Sequence, residues 1–578
     1  MKKRNITLML LFLFGYTALA QQEKVKKFSI GGGLGISYEH YGLTVSPSGG
    51  TFFMPRKPWN LVRFDFSPTM TFGKWSVPFN FNFSPMQTSF VTPPTAGKQN
   101  FWQFLTNPLN SFGLNPNYKW AEIQLGTQYL KYSELSTGDI GVFGAGVDLK
   151  PGKYRLKFFN GVSQRGINSS LTPFVIGAYQ RNNWMAQIGM EREKEYEVSF
   201  NFARGHDKIS SVSALPIGIL PQEGFTISMV VNKYFKKGWY YKSEAAQSHY
   251  TSNLNTPLDS VGSVKSFKPF IDAHTSTQKD YAAQAAIGKK SANFDIGGRV
   301  KYLGAGFQTL GYPFLQPDRF DYTVDTRFNT WKKKINVSAS VGRRINNLSN
   351  TTTRAKQFIA NVNWFTQFND RWNLNLNYNN FGFQSVGTIN NPYGIKNVAN
   401  DLSINPTYTY TNSKSTHLFS LNYSYSKYDE LNPFTGNKTA NNTHTVFFTY
   451  VPVYFSKSIN PDFSIMYFYN KAPLISPPNT FFTTKLLTFS AGMTTPVLKR
   501  KGNIKAQLQY TRSKINTFTS DNNIIVVFGA DWKLSKKLIW QLNATTNFFK
   551  YGNQLAPAYN NPRYWENTLR TGFNYRFK

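Results

Sequence analysis

The chain contains no cysteine, few acids and no long apolar run. The missing cysteine removes disulfide frameworks, thiolate metal sites, cysteine nucleophiles and a lipid-bearing N-terminal cysteine. Only 29 Asp and Glu stand against 65 Lys and Arg, and charged residues fill 16% of 578 positions, against roughly 25% in average soluble domains. Beyond the N-terminus no stretch approaches the ~20 apolar residues of a spanning helix, and mean hydropathy is negative, so a bundle of transmembrane helices is excluded. Disorder is excluded by what is abundant: 51 Phe, 33 Tyr and 12 Trp are too much apolar surface for a solvated coil. The formal charge of +36 would suit nucleic acid, but no recognition motif accompanies it. A weakly charged, aromatic-rich chain of this kind has the composition of a membrane-spanning β-barrel.

Residues 1–20 read as a signal peptide. Lys2, Lys3 and Arg4 form a cationic start, Ile6 to Tyr16 an apolar stretch, and Ala18-Leu19-Ala20 a small-x-small cleavage site. Removing them lowers the formal charge from +36 to +33 and leaves residues 21–578 as a single exported domain, expected in the cell outer membrane.

Period-two alternation fixes the fold class. Residues 372–379 place Trp372, Leu374, Leu376 and Tyr378 at even positions and Asn373, Asn375, Asn377 and Asn379 at odd ones. No helical period gathers these onto one face, whereas a strand gives the apolar set to lipid and the amides to the lumen. The pattern recurs at Phe79/Phe81/Phe83, Phe225/Ile227/Met229/Val231, Ile504/Ala506/Leu508/Tyr510 and elsewhere. A soluble β-sandwich also alternates, but rarely over ~10-residue strands for a whole chain. The expectation is an all-β, transmembrane antiparallel barrel of about 26 strands, within a range of roughly 22–26. Short periplasmic turns should alternate with long extracellular loops. Segments starting near 172 and 183 are both read as strands, and 85–119 as a connection. Two connections that parity puts outside, at Pro151-Gly152 and Arg181-Asn182, are short, which points to a misplaced hairpin there.

Gly572-Phe573-Asn574-Tyr575-Arg576-Phe577-Lys578 ends the chain with alternating aromatics. Here the sequence resembles outer-membrane β-barrels delivered to the barrel-assembly machinery by an aromatic-terminated last strand, most like the large Asn- and Tyr-rich barrels of Bacteroidota-type bacteria. It departs in ending on Lys578, with Phe577 penultimate. The resemblance implies outer-membrane lipid and the assembly machinery as partners, and assigns no functional residue. TonB-dependent transporters are similar in size but carry about 22 strands and a plug ahead of them. Gln21 to Lys27 are too few for a plug, so none is expected and the lumen should be wide.

Asn373, Asn375 and Asn377 are expected on the lumen wall, with Arg299, Lys301, Lys334 and Lys505 as cations and Asp531 as a sparse counter-charge. Such a wall favours anions or acidic oligosaccharides. Much of the basic excess, however, sits in turns (Lys236, Lys237, Lys289, Lys290), where lysines meet headgroups. In loop 85–119, Trp102, Phe104 and Phe112 are candidates for an inward constriction, a partner surface, or packing on the rim. Six scattered histidines give no metal spacing, and no cofactor or enzymatic activity is expected. His206-Asp207 is the single His/acid couple that could seed a hydrolase. The leading expectation is a porin-like passive channel for hydrophilic solutes with a mildly basic lumen. The alternative is a non-conducting barrel acting as a partner or translocon component in surface-protein secretion or outer-membrane assembly.

Overall fold

The computed structural model describes residues 28–577 apart from 47–55, 86–100, 106–109, 172–173, 261, 263, 265, 352–353, 385–395, 432–437, 457, 474–479, 500, 517–518 and 553–562. The expected signal peptide lies outside the described residues. The strands are β1 (Ser29–Ser46), β2 (Asn60–Phe72), β3 (Trp75–Phe83), β4 (Ser111–Leu114), β5 (Asn117–Tyr118), β6 (Ala121–Leu130), β7 (Ile140–Leu149), β8 (Tyr154–Gln164), β9 (Ser170–Leu171), β10 (Phe174–Val175), β11 (Gln180–Arg192), β12 (Tyr196–Lys208), β13 (Glu223–Tyr234) and β14 (Trp239–Thr251). They continue with β15 (Thr277–Lys290), β16 (Phe294–Leu303), β17 (Arg319–Thr330), β18 (Ile335–Asn346), β19 (Ala355–Gln367), β20 (Trp372–Gln384), β21 (Lys396–Thr411) and β22 (Ser415–Leu431). The last are β23 (Lys438–Tyr454), β24 (Asn460–Pro473), β25 (Phe481–Val497), β26 (Gly502–Ile515), β27 (Asp521–Lys533), β28 (Leu538–Lys550) and β29 (Arg563–Arg576).

One 27-stranded antiparallel sheet closes on itself, β1 pairing with β2 on one side and with β29 on the other. β4 and β5 share one position, both lying between β3 and β6, so the barrel has 26 staves. Closure satisfies every edge, the condition for strands to sit in hydrocarbon. No helix among the described residues is long and apolar enough to cross a membrane. Nor do those residues include a plug domain.

Two errors in the sequence reading cancel in the strand count. The stave β4/β5 falls inside the expected loop 85–119, and the strand expected near 172 is only the small hairpin β9/β10, outside the barrel sheet. Pro116 explains the first miss: it cannot donate to a ladder, and it splits a short stave into pieces of four and two residues. Correcting both restores the parity. Residues 150–153 become a short-rim turn, and Arg181-Asn182 lies inside β11. Turns of two to five residues then alternate around the barrel with connections that are longer everywhere except at 516–520, which has five residues.

The two faces are chemically distinct. On β16, Ile296, Val300 and Tyr302 are exposed, while Arg299 and Lys301 on the other face form ion pairs. Trp75, Trp239, Trp331, Trp372 and Trp532 stand exposed at the short-turn rim, an interfacial aromatic belt. Lys289 lies 5.7 Å over the ring of Trp239 there.

Candidate functional site

Lumen walls are ordinarily polar, yet two apolar clusters here are buried on the inner face of one wall. Leu130, Val142, Phe159, Met185 and Ala203 form the first. Leu135, Phe307 and Leu315 pack on Ala246, Ala282 and Leu303 in the second. Leu135, Phe307 and Leu315 come from connections 131–139 and 304–318, which leave the long-loop rim and turn into the barrel. The wall is shaped to receive them. A Cβ at Gly205 would lie 2.6 Å from Leu310 Cβ, and one at Gly311 would lie 2.4 Å from the Ser136 carbonyl oxygen.

Hydrogen bonds hold the two connections to the wall and to each other. Glu134 N and Leu135 N donate to Glu244 Oε2 and Oε1 at 3.2 and 3.1 Å. Gln284 Nε2 also donates to Glu244 Oε2, at 3.2 Å. Glu244 is only 4% exposed, so its carboxylate is matched by these donors rather than by bulk water. Thr309 Oγ1 donates to Ser136 O at 2.9 Å, Gly138 N to Gly311 O at 3.2 Å, and Asn183 Nδ2 to Leu310 O at 3.3 Å. Tyr132, in the first connection, has its hydroxyl pKa pushed up by burial and, second, by nearby Asp148.

The residues singled out from sequence fall into three groups. Arg299 donates Nε and Nη2 to Asp325 Oδ2 at 2.9 and 2.7 Å, and Lys301 Nζ lies 3.9 Å from Glu134 Oε2, so both stand at the inward connections. Away from them, Asn377 Nδ2 donates to Asn375 Oδ1 at 3.0 Å, and Asn363 and Asn361 of β19 extend the amide ladder toward Asn379. Asn373 begins this run on β20, opposite Gln367. Asn503 Nδ2 donates to Asp531 at 3.2 and 3.1 Å, with Lys505 two residues along the same face of β26. Lys334 is a correction: it lies in turn 331–334, its ammonium 5.9 Å over Trp331, because β18 begins only at Ile335.

The expected constriction is corrected as well. Phe112 pairs in register with Phe81 and stacks 5.4 Å from Phe83, and Phe104 approaches Phe83 and Phe112 at 6.0 and 5.6 Å. These phenylalanines share the outer face, opposite to inner-face Asn80 and Asn82, so they clothe the barrel's outside. The side chain of Trp102 lies outside the described residues. His206 and Asp207 do not form a couple. As strand neighbours they point to opposite faces, His206 Nδ1 lying 3.2 Å from Glu223 Oε1, while Asp207 takes Arg181 Nε and Nη2 at 2.7 and 2.8 Å. Among the described residues no three His, Asp or Glu side chains are grouped to hold a metal ion.

Sequence reasoning missed connections 131–139 and 304–318. A usable signal was present: apolar Phe307, Leu310 and Leu315 in one connection, facing a wall with unusually small residues at Gly205, Gly224, Ala246 and Ala282.

No protein-family model matches the chain, and no curated protein matches it. Among solved structures, a chain of the E. coli P pilus tip assembly intermediate PapC-PapD-PapK-PapG aligns over 96% of this chain and 62% of its own, at 9% identity and TM-score 0.44. The P pilus usher (PapC) translocation pore aligns over 94% of this chain and 99% of its own, at 10% identity and TM-score 0.35. An anion-selective porin from Comamonas acidovorans covers 51% of this chain and 93% of its own, at 13% identity and TM-score 0.25. These are likenesses of fold. By its own strand pairing the chain is a closed antiparallel β-barrel of 26 staves.

Proposed function

We propose that the protein is an outer-membrane channel that passes hydrophilic solutes, its lumen narrowed by connections 131–139 and 304–318. One observation carries this reading: a closed 26-stave barrel has room for a water-filled path, and its inner wall is lined with amides and ion pairs. The long-loop rim faces the cell exterior and the short-turn rim the periplasm. Arg299, Lys301 and Lys505 give the wall its cations, with Asp325, Glu134 and Asp531 as counter-charges. Reconstituting the purified barrel in planar bilayers tests this. Discrete ionic current steps are expected; membranes that stay silent while containing folded barrel would refute it.

A second reading, a non-conducting partner in surface-protein secretion or assembly, is favoured by the extramembrane rim. Connections 165–179 and 209–222 interlock through Ile217 N to Ile176 O at 2.8 Å and Ser169 N to Ala214 O at 3.3 Å. Leu171, Phe174, Leu215, Ile217 and Leu220 remain exposed on them, an apolar surface of the kind that marks a protein contact. A barrel that is silent in bilayers and co-purifies with a stoichiometric protein would support this second reading over the first.

A further inference from the structure

From β24 to β29 the outer face is apolar up to one level and cationic above it. Register partners in an antiparallel sheet share a face, so Tyr510, Ile524, Phe548 and Trp565 form one outward row across β26, β27, β28 and β29. The next row toward the long-loop rim is Arg512, Asn522, Lys550 and Arg563. On β25 and β26, Lys485 and Lys514 stand directly opposite each other, and Lys471 of β24 lies diagonal to Lys485. From Gly502, at the short-turn end of β26, to Arg512 is roughly 25 Å along the barrel axis, taking ~3.3 Å per residue and a tilt of about 40°. That is the height of the apolar band of a membrane barrel, so the cations stand where lipid headgroups begin.

The charge of this level is left to its surroundings. Among the described residues none of these six cations forms an ion pair; Lys471 lies over the Phe481 ring at 3.9 Å and Lys485 over that of Tyr469 at 5.9 Å. Lys485, Arg512, Lys514, Lys550 and Arg563 are all exposed. Residues 460–578 contain only the acids Asp462, Asp521, Asp531 and Glu566, and strand alternation turns each of them inward. Connections 474–480, 516–520 and 551–562, which end at this level, contain no acid in their sequence. Like charges directly opposite on a sheet repel, as Lys485 does Lys514 and Lys550 does Arg563, and an anion between them removes the repulsion. The strand β27 separates the two pairs, so β26 and β28 set them roughly 10 Å apart. A soluble anion would use the cations alone. An amphiphile also covers exposed Leu487, Leu508, Val526 and Leu569 on the same face below them.

We propose that this face binds a doubly phosphorylated, acylated lipid of the leaflet on the long-loop side. One phosphate lies between Lys485 and Lys514 beside Arg512, the other between Lys550 and Arg563, and the acyl chains run down the apolar rows. The inference rests on the barrel spanning a membrane, as the channel reading requires, and names the lipid that its outer face selects there. Competition against a fluorescent lipid A on the full chain in detergent tests it, with diphosphorylated lipid A, its dephosphorylated form and inorganic phosphate as probes. The diphosphorylated lipid is expected to bind at least about tenfold more tightly than either of the others, the discrimination of one charge-assisted contact set. Lys485→Gln with Lys514→Gln, and Lys550→Gln with Arg563→Gln, should each weaken it about fivefold or more, with melting no lower because each double variant removes a repulsion. Lys536→Gln with Lys537→Gln, which takes the same charge from a short turn, should leave binding unchanged. Dephosphorylated lipid or inorganic phosphate binding as tightly, no effect of either outer-face variant, or an equal loss in the turn variant would overturn the proposal. Binding is read without a current, so the two claims fail separately. A barrel that conducts without preferring the phosphorylated lipid loses this site and keeps the channel; one that prefers it yet passes no current does the opposite.

Discussion

At the scale of single residues, the inward fold depends on a few contacts that oppose a flexible connection's conformational entropy. Glu244 is the clearest. In Glu244→Ala, the Glu134 and Leu135 amides lose their acceptor, and each buried amide left unpaired costs about 1–3 kcal/mol. The seated state of 131–139 should be depopulated, so channel current per barrel in bilayer recordings rises while the barrel's melting temperature changes little. Gly205 is a second control point, because a side chain there collides with Leu310. The absence of native cysteine makes this measurable: in a Phe307→Cys background, maleimide labelling should be slow, since Phe307 is fully buried, and about tenfold faster once Gly205→Val is added. Equal labelling rates would mean that 304–318 is not held by that wall.

At the scale of elements, what could be read from sequence follows from how many residues share one pattern. β20 alternates Trp, Leu, Leu and Tyr with Asn over eight positions, and the structure sets its Asn375 and Asn377 in an amide ladder. β4/β5 offers only Phe112 and Leu114 before Pro116 interrupts it, too little to distinguish a stave from a loop. The inward connections were illegible for another reason. Apolar residues in a long loop look alike whether they dock inside, as Phe307 does, or outside, as Phe104 does; the choice lies in the facing strands, far away in sequence. Gly126 shows how tight the short stave is. Its φ is +81°, and a Cβ there would lie 1.6 Å from the Phe112 carbonyl oxygen. Gly126→Val should therefore block β4–β6 pairing and sharply reduce the folded fraction seen as heat-modifiable migration on gels. Gly298→Ala, with nothing within 4 Å of its added carbon, should fold like the parent.

At the scale of the whole molecule, charge is distributed by region rather than by net sign. Lysines at the short-turn rim such as Lys289, at the end of β15, and Lys334 lie over rim tryptophans, while wall cations such as Arg299 and Lys301 face carboxylates. The +36 of the sequence therefore predicts no single partner. The central claim is that the barrel encloses an aqueous path narrowed by two inward connections. Single-channel recording of the parent barrel beside Glu244→Ala tests it most directly. The account predicts resolved current steps for the parent and larger ones for the variant; no current from either folded protein, or equal steps from both, would contradict it.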